Sequence, residues 1–283
     1  GEAGAVLMGI LNVTPDSFSD GGAHEDPDAA IAHALRLASE GARIIDVGGE
    51  STRPGARMVT LEEEMRRVMP VLEKLRAALP DTVHISIDTM KAPVARAAVA
   101  CGAAIINDVS GLSYDPAMRS TAADLGVHVI LNHMKGTPQT MQQSPSYRHV
   151  IPEVIGDLVS LMEEAMRAGV DKERIILDPG IGFGKRHQDN LAILRHIAAF
   201  VSLGRPVAIG VSRKSFLTSA AIPETGAEQA APDGPARSDA SMVAEALAVM
   251  GGAHILRTHE PSRAAIAARL AEAVVARSLA APD

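Results

Sequence analysis

The sequence predicts a closed parallel β/α barrel, and three features carry that prediction. Eight apolar runs of strand length recur along the 283 residues, helix-like stretches separate them, and each run stops at a polar or charged residue. The runs are Val6 to Leu11 before Asn12, Ile44-Ile45 before Asp46, Val83 to Ile87 before Asp88, and Ala103 to Ile106 before Asn107. They continue with Val127 to Leu131 before Asn132-His133, and Ile175 to Leu177 before Asp178. The last two are Val207 to Val211 before Ser212-Arg213-Lys214, and Ile255-Leu256 before Arg257. Strands that are largely apolar, here interrupted only by His84, Ser86 and His128, are buried on both faces, the pattern of a parallel sheet covered by helices. Eight such cycles suit one (β/α)8 TIM barrel, whose reactive residues gather at the C-terminal ends of the strands.

The helices between the runs are marked by caps and periodicity. Asp26-Pro27 and Asp115-Pro116 each set a capping acid before a proline in the first turn. Thr60 with Glu63 reads as a capping box opening an amphipathic segment that runs to about Leu79. Further amphipathic stretches run from about Ile151 to Ala168 and from about Ser262 to Leu279. Connections longer than a minimal link follow the first run (13–26), the second (48–59) and the fifth (135–147), and binding residues concentrate in such loops. The segment 222–238 is rich in Ala, Gly, Pro and Glu without periodicity, and reads as a flexible insertion within a single domain spanning 1–283.

Composition narrows the function. With 47% hydrophobic and 22% charged residues the chain can bury a large core. A net charge of -7 argues against nucleic acid as the main partner, because phosphate backbones demand clustered Lys and Arg. Cys101 is the one cysteine, so no internal disulfide forms and a reducing, cytoplasmic setting is expected. No apolar run is long enough to span a bilayer.

Two groups of run-terminating residues look built for chemistry. Asp88, Asn107 and Asp178 offer two carboxylates and an amide that suit the edge of a flat, nitrogen-rich heterocycle, with Lys214 at the next rim position to keep the carboxylates ionised. Asn12, Arg53, Arg257 and His259 form a second group suited to phosphate oxygens. Asn12 has an alternative use as a hard amide ligand for Mg²⁺, and His259 as a structural hydrogen-bonding residue. The run Gly180-Ile181-Gly182-Phe183-Gly184-Lys185 is not a P-loop, since Pro179 replaces the first glycine and Arg186 the Ser or Thr. Its glycines are expected to let the backbone approach a ligand closely.

With these residues placed, the chain resembles the dihydropteroate synthase family. The segment from Met8 through Asn12-Val13-Thr14-Pro15-Asp16-Ser17-Phe18-Ser19-Asp20 to Gly22 is similar to that family's first signature. Asp46-Val47-Gly48-Gly49-Glu50-Ser51-Thr52-Arg53-Pro54-Gly55 is similar to its second. Ser86-Ile87-Asp88-Thr89, Ile106-Asn107-Asp108, His133-Met134, Asp178 to Lys185 and Ser212-Arg213-Lys214-Ser215 follow in order. The chain departs from the family at Arg257-Thr258-His259-Glu260, where Arg-Val-His-Asp is usual.

The resemblance implies condensation of (7,8-dihydropterin-6-yl)methyl diphosphate with 4-aminobenzoate in folate synthesis. It implies that Asp88, Asn107, Asp178 and Lys214 hold the pterin, and that Asn12, Arg53, Arg257 and His259 hold the diphosphate. Asn12 would ligate Mg²⁺. Asp16, Thr52, Arg53, Pro54, Phe183, Lys214 and Ser215 would form the 4-aminobenzoate site, with the first two long loops closing over it. Asp88, Asp178, Lys214, Arg257 and His259 would carry catalysis. A homodimer through the last two helices is implied as well. A methyltransferase module acting on methyltetrahydrofolate and a silent pterin-binding paralogue are the alternatives.

Overall fold

The computed structural model describes residues 4–14, 27–52, 55–221 and 234–279. Asp16, Arg53, Pro54, the Asp26 cap, most of the first long loop and residues 222–233 lie outside the described residues. The first half comprises β1 (Val6–Asn12), α1 (Pro27–Ser39), β2 (Ile44–Gly48), α2 (Leu61–Ala78), β3 (His84–Asp88), α3 (Ala92–Ala100), β4 (Ala103–Asp108) and α4 (Met118–Leu125). The second comprises β5 (His128–Asn132), α5 (Val150–Arg167), β6 (Ile175–Asp178), α6 (His187–Arg195), α7 (Ile197–Val201) and β7 (Ala208–Ile209). It ends with α8 (Ser215–Ala221), α9 (Pro235–Met250), β8 (Ile255–Thr258) and α10 (Pro261–Leu279).

The strands are all parallel and run in the order β6-β5-β4-β3-β2-β1-β8-β7. The two ends meet through a parallel bridge between Leu177 and Val207, where the Leu177 N–H donates to the Pro206 carbonyl at 2.9 Å. The eight strands thus form a nearly closed barrel, the fold expected from the sequence, and the bridge covers the meeting edges of β6 and β7.

Side chains alternate inward and outward along each strand, and this alternation builds the interior in tiers. Met8, Ile44, Ile105, Ile130, Ile176, Ala208 and Ile255 pack together as one buried cluster inside the barrel. The larger cluster fills the layer between sheet and helices, with Phe200, Leu37, Leu72 and Leu75 fully buried there. Two residues further along the strands, the inward positions turn polar. Ile44 leads to Asp46, Ile105 to Asn107, Ile130 to Asn132, Ile176 to Asp178 and Ile255 to Arg257. A floor of isoleucine thus supports a ring of polar groups.

Three local expectations change. The apolar run of β2 stops at Asp46, but the strand pairs on through Gly48, so Asp46 lies inside the sheet and is fully buried. The flexible insertion does not extend to Ser238, because α9 starts at Pro235, where proline fits the first helical turn. The third concerns Asp115, whose carboxylate accepts the Ala117 N–H at 2.9 Å ahead of α4. Its other oxygen takes the Ala92 N–H at 2.9 Å, so one acid also caps α3. The Thr60 hydroxyl accepts the Glu63 N–H at 3.2 Å, as the sequence indicated, while the Glu63 carboxylate turns to Arg66 and Arg67.

Candidate active site

The polar ring is organised by one guanidinium. Arg257 on β8 donates through Nε to Asp46 Oδ2 at 2.7 Å and through Nη2 to Asp88 Oδ2 at 2.6 Å. Asn107 Nδ2 donates to the same Asp46 oxygen at 3.0 Å, which leaves the Asn107 amide oxygen available to a ligand. Strand register makes these contacts possible, since β1 pairs Ile10 with Asp46 and Met8 with Arg257, while β3 pairs Asp88 with Asn107. Burial raises the Asp88 carboxyl to about 8 against the pull of Arg257, with Asp46 and Glu64 adding repulsion. Burial opposes the charge on Arg257 too, but Asp46 and Asp88 hold it well above its ordinary value. Two carboxyl groups and an amide gathered round one cation present several oxygen acceptors, suited to a ligand edge rich in N–H groups.

Asp178 and Lys214 form the other side. Burial raises the Asp178 carboxyl, opposed by the Lys214 charge and by the Gly180 N–H, which donates to Asp178 Oδ1 at 2.7 Å. Burial lowers Lys214 to about 8, opposed by Asp178. Its Nζ donates to the Ile181 carbonyl and lies 4.5 Å from the centre of the Phe183 ring. A cation against an aromatic face, beside the buried Asp178, can receive a flat aromatic acid. Ser215 is exposed at the first position of α8, next to Lys214. Thr52 is half-buried in the loop after β2.

The anion group is only partly assembled. Asn12 ends β1 half-buried, paired with Gly48. A Cβ at Gly48 would stand 3.7 Å from Asp88 Oδ2 and 3.9 Å from Asn12 Oδ1, so the missing side chain leaves a gap faced by two hard oxygens. Asp88 Oδ2 already accepts from Arg257, so Asn12 Oδ1 is the oxygen whose chemistry fits Mg²⁺, an ion that binds through one or two protein oxygens and completes its shell with water and phosphate. His259 Nδ1 lies 3.1 Å from the Ser212 hydroxyl, which also accepts the His259 N–H at 3.2 Å. Together with His33, Arg36 and Arg213, His259 lines a cavity of about 350 Å³ beside α1.

The glycine run after β6 does something other than the sequence suggested. Gly180 has φ +68 and Gly184 φ +62. A Cβ at Gly180 would stand 1.8 Å from the His133 carbonyl oxygen, and one at Gly184 would stand 2.4 Å from the Lys135 carbonyl oxygen. These two glycines admit the backbone of the loop after β5. Lys185 completes the junction, fully enclosed, with Nζ 2.9 Å from His133 Nδ1 and donating to the Phe183 carbonyl at 3.0 Å. Burial drops Lys185 to about 7 and, aided by the Lys185 charge, drops His133 to about 4. The imidazole is therefore neutral, accepting at Nδ1 and donating from Nε2 to Asp157 at 3.0 Å.

Asp46, Lys185 and His133 are members of this architecture that sequence reasoning left without a role. The signal for Asp46 was available: it stands two residues after Ile44, just as Asn107 follows Ile105 and Asp178 follows Ile176.

A parallel barrel with a buried carboxylate–amide ring beside a lysine defines a pterin-binding class of enzyme. The model for that family, "Pterin binding enzyme", matches residues 8–259. The chain is 42% identical over 270 residues to the dihydropteroate synthase of Bacillus subtilis, covering 95% of this chain and 88% of that protein. The Xanthomonas albilineans dihydropteroate synthase solved with 4-aminobenzoic acid superposes with a TM-score of 0.87 at 45% identity, covering 99% of this chain and 94% of the other. The same enzyme in complex with 7,8-dihydropteroate superposes with a TM-score of 0.83 at 42% identity, covering 99% and 95%. The chain belongs to the dihydropteroate synthase family of pterin-binding enzymes.

Proposed function

We propose that this protein condenses (7,8-dihydropterin-6-yl)methyl diphosphate with 4-aminobenzoate, giving 7,8-dihydropteroate and diphosphate. The observation that carries the reading is the buried ring of Asp46, Asp88, Asn107 and Arg257 facing Asp178 and Lys214 above an apolar floor. In this reading Asp88, Asn107, Asp178 and Lys214 hold the pterin. Asn12, Arg53, Arg257 and His259 hold the diphosphate, and Asp16, Thr52, Arg53, Pro54, Phe183, Lys214 and Ser215 receive the arylamine. The relatives solved with 4-aminobenzoic acid and with 7,8-dihydropteroate support the choice of substrates.

An arylamine is a weak base and a modest nucleophile, so departure of diphosphate controls the reaction. The C–O bond to diphosphate breaks, and positive charge spreads into the dihydropterin. Asp88 and Asp178 stabilise that charge from the ring edge, while the cationic side chains stabilise the departing oxygens, where one well-aimed donor is worth ~3–4 kcal/mol. The amine nitrogen then forms the new C–N bond and loses a proton. Asn12 would hold Mg²⁺, whose charge would supply further neutralisation of the diphosphate oxygens. A chemical step whose rate depended steeply on arylamine basicity would contradict this order of bond changes.

A second proposal concerns assembly. Val243, Leu247 and Met250 on α9 and Ile266, Leu270 and Val274 on α10 are large apolar side chains left exposed at helical spacing. The two helices pack on each other, so the residues form one apolar face, of the kind that marks a protein contact. We assign it to a second copy of this chain, making a homodimer. No helix among the described residues is long and apolar enough to cross a membrane, and cytoplasmic residence is our reading of the single cysteine.

The reaction is tested by diphosphate release from the purified protein with Mg²⁺. Release that needs both organic substrates, with dihydropteroate formed in equal amount, is the expected result. Pterin binding without release would favour a silent paralogue, and a requirement for a corrinoid protein would favour the methyltransferase module.

A further inference from the structure

The connection between β5 and α5 bonds to both walls assigned to the arylamine. On one side, its Pro138 carbonyl accepts the Gly55 N–H at 3.1 Å, within the loop that carries Thr52. On the other, Gln142 Nε2 donates to the Gly182 carbonyl at 3.0 Å, and the Tyr147 hydroxyl donates to the Gly184 carbonyl at 3.0 Å. Those two carbonyls flank Phe183. With the Lys214 donation to Ile181 and the Lys185 donation to Phe183, four consecutive carbonyls from 181 to 184 each accept a side-chain N–H or O–H.

The connection is itself stiff enough to transmit position. The Thr137 carbonyl accepts the N–H groups of Thr140 and Met141 at 3.0 and 2.7 Å, and Met141 is buried beneath the turn. Tyr147 is buried as well, with Lys135 Nζ 4.1 Å from its ring centre.

From this we infer that Gln142 and Tyr147 are positioning residues for 4-aminobenzoate: they fix the Phe183 wall through its flanking carbonyls and touch neither substrate. The inference rests on the proposed placement of the arylamine between Thr52 and Phe183. In the proposed reading the pterin ring is held by Asp88, Asn107 and Asp178 at strand ends and by Lys214, and neither Gln142 nor Tyr147 donates its side-chain hydrogen bond to any of these four. Loss of either side-chain donor therefore affects one substrate selectively.

The test is steady-state kinetics of the full chain with each substrate varied at saturation of the other, for Gln142→Ala, Tyr147→Phe, the double variant and Thr52→Ala. Gln142 is exposed, and Tyr147→Phe keeps the buried ring, so both variants retain the fold. Each single change is expected to raise the KM for 4-aminobenzoate about threefold and the double change about tenfold, the scale of one and two ordinary hydrogen bonds. The KM for the pterin diphosphate stays within error of the parent. A raised arylamine KM in Thr52→Ala alongside unchanged values in Gln142→Ala and Tyr147→Phe would overturn the inference alone. An unchanged arylamine KM in Thr52→Ala would overturn the placement of the site and the inference with it. Equal rises in both KM values would also overturn it, since they signal a general loss of structure.

Discussion

Asp46 accepts a hydrogen bond from Arg257 Nε at 2.7 Å although 211 residues separate the two in the chain. The carboxylate is fully buried and also accepts from Asn107, so it aims the guanidinium at Asp88 and fixes the amide at once. Asp46→Asn preserves shape and removes the charge. A lost charged hydrogen bond at a buried site is worth ~1.5–3 kcal/mol, so kcat/KM for the pterin diphosphate should fall about 10- to 100-fold, read by initial rates. An unchanged kcat/KM would mean that Arg257 needs no such anchor.

Lys214 loses its proton near pH 8, while an unburied lysine would do so at about 10.4. Activity that depends on its charge should therefore decline as pH rises through about 8, seen as a rising KM for 4-aminobenzoate. Asp88 titrates near the same pH and Asp178 faces Lys214 directly, so the profile of Lys214→Arg is the control. Arginine stays charged, and the decline should move out of the range or disappear. The stability linked to Lys214 runs the other way, because a depressed pKa favours folding above the unfolded value and that gain is lost as pH falls through about 8.

Lys91 lies between two buried carboxylates, with Nζ 2.5 Å from Glu50 Oε2 and 2.5 Å from Glu64 Oε2. It ties the start of the second long loop to α2. Lys91→Met would strand two charges in a dry setting, and breaking such a pair costs about 3–5 kcal/mol. Urea denaturation should show a loss of that size. Lys91→Met with Glu50→Gln and Glu64→Gln should recover much of it.

Gly180→Ala tests the junction beside the pocket. The added methyl group would fall 1.8 Å from the His133 carbonyl, at a φ of +68 that disfavours any side chain. Displacement of the loop should carry Phe183 away from Lys214 and abolish measurable 4-aminobenzoate turnover. Circular dichroism retaining the barrel signal would confirm that the damage is local.

The apolar face of α9 and α10 gives the assembly experiment. Leu270→Glu, at a position 65% exposed in the isolated chain, should shift sedimentation equilibrium to the monomer without lowering the melting temperature of the fold. A monomeric parent protein would overturn the dimer.

Much of the architecture could be read in advance because it is local. Asp88, Asn107 and Asp178 were visible as the residues that stop apolar runs, and period-two alternation then points them inward. What escaped was non-local. Nothing near Arg257 in sequence announces that its partners stand on β2 and β3, and Asp46 was passed over because its strand runs two residues further than its apolar stretch. The glycines at 180 and 184 signal only that something comes close, not what. Here it is the backbone at His133 and Lys135. The insertion boundary failed for a similar reason: Pro235 resembles loop composition but starts a helix.

The isoleucine floor and the polar ring occupy alternate positions of the same strands, with a rise of about 6.6 Å between them. A slip of one residue in any strand would turn both outward together. Selection for a tight apolar interior thus also enforces the aim of Asp46, Asn107, Asp178 and Arg257. Chemistry and folding share a single frame of reference here, and a lineage cannot drift in one without being checked by the other.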